Sequence, residues 1–177
     1  METNKLSPNV KGPTGPGKPE PETNLGDPTM NLQTDNPQIE FPHRIDHGIA
    51  LLRISFGVML LAHGFVLKLM TFGLAGTAGF FESIGFPGWT AYAVFGAETF
   101  GGLALIAGVG TRWVSAAILP VLLGALYVHI GNGWVFSNEG GGWEYPLYLV
   151  VLAIAQFLLG AGAFSLDRKL GLEQALP

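Results

Sequence analysis

Two residues of this 177-residue chain have the type and setting to do chemistry, Glu98 and His63. Glu98 is the one formal charge in an apolar run from Trp89 to Val109. Roughly 20 mostly apolar residues suffice to cross the ~30 Å hydrocarbon core of a bilayer. A carboxylate at that depth is costly unless it is protonated, paired or lining a wet cavity. Gly101 and Gly102 follow it at helical spacing, so the acid shares a face with small residues that let a neighbouring helix approach. His63 lies in an earlier apolar run, ~10 Å below that run's outer end at Met70, while Glu98 lies ~13 Å below Trp89. The two therefore sit at matching depth on consecutive helices. A carboxylate and an imidazole at one level suit proton exchange with a small molecule such as a quinone, whose reduction consumes two protons. Lys68, His129, Trp143 and Glu144 are the candidate substrate-binding residues. Together with Glu82 the polar members of this set suggest a cavity opening outward, and Lys68 would favour an anionic substrate by charge.

Each candidate also has a plainer reading. Glu98 is then a structural acid hydrogen-bonded to a neighbouring helix, and His63 a satisfied core histidine. Lys68 snorkels to the headgroups, and Arg53 snorkels or pairs with an acid at its own end of the helix. His129 is interfacial. A haem held between His63 and His129 is disfavoured, because their depths differ by more than two helical turns. The chain has no cysteine, which removes disulfides, thiolate metal sites and dithiol chemistry, and no metal site is expected.

The elements that must position these residues read as helices. Hydrophobic residues make up 49% of the chain and charged ones 12%, and the mean hydropathy is +0.39. That balance favours an integral membrane protein. The expected fold is an all-α, four-transmembrane-helix antiparallel bundle with a disordered N-terminal tail. The helices fall at about 46–70, 89–109, 113–130 and 144–164 within a membrane domain of residues 43–170, followed by a polar C-terminal tail of residues 171–177. Residues 1–42 are rich in Pro and Gly and lack the apolar core of a secretory signal. Between the first two spans, Thr71 to Gly88 reads as a short amphipathic or re-entrant piece. Pro120 should kink the third helix. Gln156 is the one deep polar side chain of the fourth.

Four spans place both termini on one side. Lys5, Lys11, Lys18, Arg44, Arg53, Arg112, Arg168 and Lys169 lie toward that side, and only Lys68 toward the other. The positive-inside rule then makes both termini cytoplasmic in a multi-pass protein of the cell inner membrane. The net charge of −4 and the lack of a basic patch argue against a nucleic-acid role.

Three stretches resemble the DoxX family. They are Gly64-Phe-Val-Leu-Lys68-Leu69, Glu98-x-x-Gly101-Gly102-Leu-Ala-Leu-x-x-Gly108-x-x-Thr111-Arg112, and Gly160-Ala-Gly162-Ala-Phe-Ser165-Leu166-Asp167. The resemblance runs from about Ile45 to Lys169. It implies a small four-helix membrane protein linked to redox complexes, with relatives that include the DoxD-type subunit of thiosulfate:quinone oxidoreductase. Two functions stand side by side at this point. One is a redox-associated subunit that binds quinone or handles protons at Glu98 and His63, with no covalent cofactor. The other is a non-catalytic accessory subunit of a larger respiratory or photosynthetic complex, clamped by its tail. A small transporter is weaker, because paired broken helices and internal repeats are missing.

Overall fold

The structure, a computed structural model, describes residues 43–172; the tail expected at 1–42 and the last residues of the C-terminal tail lie outside the described residues. Helices α1 (His43–Leu61), α2 (Leu74–Ser83), α3 (Trp89–Ala107), α4 (Thr111–His129), α5 (Glu144–Leu159) and the short α6 (Leu166–Lys169) make up most of its regular structure, with a π-helical continuation of α1 and a 3-10 turn at Ile130–Asn132, and no strand occurs among the described residues. Three helical stretches are long and apolar enough to cross a membrane: His43–Thr71, Trp89–Ala107 and Thr111–Asn132. The apolar surface faces outward as well as inward. Phe100, Trp113, Leu51 and Leu158 are among the large side chains left exposed, while Phe56, Leu60, Leu105, Ile118, Leu122 and Leu149 form the buried core.

The first long helix is not uniform. Beyond Leu61 it continues as a π-helical segment, Ala62–Thr71, closed by Phe72 N–H donating to the Leu67 carbonyl at 2.9 Å. An i→i+5 turn brings residues five apart onto one face, where an α-helix brings residues four apart. His63 and Lys68 are five apart, so this change of winding gives them a common face. The segment is also gripped from α2, whose Thr77 hydroxyl donates to the Lys68 carbonyl at 3.1 Å.

Helices α1 and α3 meet backbone to backbone, as the small residues that follow Glu98 suggested. A Cβ on Gly57 would lie 2.7 Å from the Gly102 carbonyl oxygen, and one on Gly102 the same distance from that of Gly57. Such approach maximises dispersion contact where no water is squeezed out. Further along, a Cβ on Gly64 would lie 2.7 Å from the Thr99 hydroxyl and 2.9 Å from Glu98 Cβ. The tight seam between these helices therefore runs up to Glu98.

At the other end of the seam the chain is tied into a knot. Helix α3 stops in a Schellman arrangement, with Gly108 left-handed (φ 71°) and Val109 N–H donating to the Ala104 carbonyl at 2.9 Å. The α3–α4 connection is thus Gly108 to Gly110, and Thr111 and Arg112 already belong to α4. The Asp167 carboxylate accepts from Gly110 N–H at 2.8 Å and Thr111 N–H at 3.0 Å, placing negative charge at the start of α4. Helix α4 continues through Pro120 to His129.

Helix α5 ends at Leu159, five residues before the expected boundary. Gly160 turns the chain (φ 81°), and the Gln156 amide folds back to donate to the Gly160 carbonyl at 2.6 Å. Residues 160–165 then double back over α1, with Ala163 N–H donating to the Asp46 carbonyl at 3.0 Å.

Arg53 holds these pieces together, which corrects the expectation that it snorkels; an acid at its own end, Asp167, does act on it electrostatically, but the hydrogen bonds of Arg53 go to backbone carbonyls. It is fully buried. Its guanidinium donates to the carbonyls of Leu105 and Ile106 on α3 at 2.5 and 3.0 Å, and to Ala161, Ala163 and Phe164 at 2.8, 3.1 and 3.3 Å. The last turn of α3 and the turn after α5 supply the backbone acceptors that a buried guanidinium needs.

Candidate functional site

Glu98 lies near the middle of α3, buried, about 15 Å along the helix from the Gly108 knot. Its neighbour across the seam is Lys68. The Lys68 ammonium donates to Glu98 Oε2 at 2.6 Å, and both side chains are largely shielded. The lysine is therefore not extended to headgroups, and Glu98 is not a lone acid. A pair of opposite charges replaces the solvation that each would lose on burial. The π-helical winding is what delivers Lys68 here from the same face as His63.

His63 is the third member. It stands close enough to Glu98 for the two groups to interact electrostatically. Its Nδ1 contacts the Met59 carbonyl oxygen at 2.9 Å, one turn back on α1. On its other side the imidazole stacks against Tyr145 of α5, with ring centroids 6.2 Å apart and 28° between planes.

That stacking opens onto a cleft of about 590 Å³, lined by His63, Phe136, Glu144, Tyr145 and Tyr148. Tyr145 and Tyr148 are three apart and so fall on one face of α5. Phe136 comes from the loop after α4 and meets Tyr145 edge-on at 6.0 Å. The same loop is fastened to α5 by Phe136 N–H donating to Glu144 Oε1 at 2.7 Å. The result is a mostly aromatic cleft with a few polar groups, the common form of a small-molecule site.

The structure thus sorts the residues singled out from sequence. Glu98, Lys68 and His63 come together, and His63 and Glu144 line the cleft. Trp143 packs edge-on against Trp134 at 4.4 Å instead of joining the cleft lining. His129 contacts the Ala125 carbonyl at 2.8 Å and lies under Gly141, also apart from the cleft lining. Glu82 is exposed beside Gly88. Phe136, Tyr145 and Tyr148 were not anticipated, although the Tyr-x-x-Tyr spacing at the start of α5 was a readable signal. Among the described residues no group of three or more His, Asp or Glu side chains is placed to hold a metal ion.

These features define an all-helical protein with membrane-length helices and a buried Lys–Glu pair beside an aromatic cleft. The DoxX family pattern matches residues 48–131. The chain is also 32% identical over 121 residues to the Bacillus subtilis (strain 168) protein named "Putative oxidoreductase CatD", a match covering 68% of this chain and 84% of that protein. This chain belongs to the DoxX family. No solved structure matches it. The matched residues include the Gly64–Leu69 and Glu98–Arg112 stretches, and the first of these, with Glu98 itself, builds the site. The remainder of the second stretch and the Gly160–Asp167 stretch build the Arg53–Asp167 knot.

Proposed function

We propose that this chain is a four-span redox-associated subunit of the inner membrane, which binds a quinone in the aromatic cleft and exchanges protons with it through His63, backed by Glu98 and Lys68. The position of His63 carries this reading: one imidazole lines the cleft and also acts electrostatically on the ion pair. Proton exchange with the quinone oxygens needs a titratable group in contact with the ligand and a charge behind it that tolerates the change. The Phe136, Tyr145 and Tyr148 rings would hold a flat ring by stacking and edge contact. The electrons come from a partner protein, since quinone reduction needs two of them along with two protons. The oxidoreductase name of the Bacillus subtilis relative supports a redox setting.

In this reading α5 is the fourth span, completed by the buried turn at residues 160–165. The starts of α1 and α4 and the ends of α3 and α5 are joined through Arg53, Asp46 and Asp167, consistent with an antiparallel bundle. Both termini are then cytoplasmic, on the Lys- and Arg-rich side. In native membranes, Glu98→Gln keeps the shape and the bond from Lys68 but removes the charge. Quinone-linked electron transfer should fall by about 100-fold with the protein still assembled. Unchanged turnover would contradict the proposal.

The second reading is an accessory subunit of a larger respiratory or photosynthetic complex, anchored by residues 1–42. What favours it is that the family match begins only at residue 48, leaving the Pro- and Gly-rich residues before it outside the family pattern. Deleting that segment should then release the chain from its complex on mild-detergent purification, while Glu98→Gln changes nothing.

A further inference from the structure

The tautomer of His63 gives the cleft a direction. A backbone carbonyl can only accept a hydrogen bond, so the Nδ1 contact with Met59 O at 2.9 Å requires the proton to sit on Nδ1. In the neutral ring Nε2 is then the acceptor, because the bond made by one nitrogen fixes the role of the other. Nε2 has no protein hydrogen-bond partner among the described residues, and the ring itself lines the cleft. The remaining acidic group there, Glu144, is occupied by Phe136 N–H. The carbonyl form of a quinone offers only acceptors and finds no partner at Nε2; the donors in the lining are the Tyr145 and Tyr148 hydroxyls, which serve either redox form, so the difference between the forms falls on His63. The reduced form offers hydroxyl donors.

We propose that the cleft selects the aromatic hydroxyl form of its ligand, a quinol or related phenol, by a hydrogen bond from the ligand O–H to His63 Nε2. This rests on the reading of the cleft as a quinone-class site and adds to it which redox form is held more tightly. If that hydroxyl then gives up its proton, the proton moves to Nε2 and the phenolate oxygen keeps the electron pair. The imidazolium so formed lies within electrostatic reach of the Glu98 carboxylate. Lys68 holds that carboxylate in place throughout.

The test uses the full chain in detergent under anaerobic conditions, titrated with duroquinol and with duroquinone by calorimetry. Nitrogen NMR of histidine-labelled protein reports the ring tautomer in parallel. Duroquinol should bind about tenfold more tightly than duroquinone, the scale of one good hydrogen bond in a shielded site. His63→Phe, which keeps the flat ring against Tyr145, should erase that preference while still binding both compounds. His63→Asn, which restores a neutral acceptor, should recover part of it. The NMR should show protonated Nδ1 and unprotonated Nε2 at His63 in the wild type. Equal binding of the two compounds, or a proton on Nε2, overturns the inference and leaves the quinone site standing. Binding of neither compound overturns the quinone site and this inference with it.

Discussion

Among single residues, the Lys68–Glu98 pair couples stability to the site. Breaking a buried pair by removing one partner typically costs about 3–5 kcal/mol, whereas replacing both with apolar groups of similar volume is often near neutral. Lys68→Met should therefore lower the thermal midpoint in detergent, and Lys68→Met with Glu98→Leu should restore most of it. The functional outcome should differ, because the doubly apolar variant has lost the charge behind His63. Its quinone-linked turnover should stay as low as that of Glu98→Gln. A stable double variant with full turnover would make the pair purely structural. Glu98 was legible from its isolation in an apolar run, and His63 from depth. Lys68 as its partner was not, since an α-helical count puts Lys68 and His63 on different faces.

The elements explain that gap. The stretch Ala62–Thr71 winds as a π-helix, and nothing in its composition distinguishes it from an α-helix of the same apolar residues. The seam between α1 and α3 was more readable, because Gly57, Gly64, Gly101 and Gly102 recur at helical spacing. Gly101 proved the exception: a Cβ there would merely touch Val114 at 3.5 Å. Gly64→Val should act on both packing and site, since its Cβ has no room beside Thr99 and Glu98. We expect a destabilisation of about 1–3 kcal/mol, typical of overpacking, together with loss of quinone-linked turnover. Gly101→Ala, facing only Val114, should leave both nearly unchanged in the same assays. The end of α5 was misplaced for a different reason. Residues 160–164 are apolar enough to continue a helix, but Gly160 and the Gln156 back-bond stop it.

For the molecule as a whole, the helical class and the four apolar segments follow from composition, but the device that unites them does not. Arg53 looked like a terminal charge and is instead an internal clamp between α1, α3 and the chain after α5. Sequence patterns record the charge of such a residue and not the carbonyls that surround it. Arg53→Met should abolish at least five hydrogen bonds to buried or partly buried carbonyls. Hydrogen bonds to charged groups are worth about 1.5–3 kcal/mol each, so the variant should fail to yield folded protein, while Arg168→Ala at the exposed Asp46 pair should be tolerated. The two poles thus divide the labour: the Arg53–Asp167 pole holds the helices, and the Lys68–Glu98–His63 pole reaches the cleft through His63. Whether this cleft holds the quinone is read by photolabelling. An azidoquinone irradiated with the full chain in native membranes should label peptides containing His63 and Phe136 to Tyr148, with duroquinone competing the label away. Labelling confined to other segments, or indifferent to duroquinone, would mean that the quinone does not bind in this cleft.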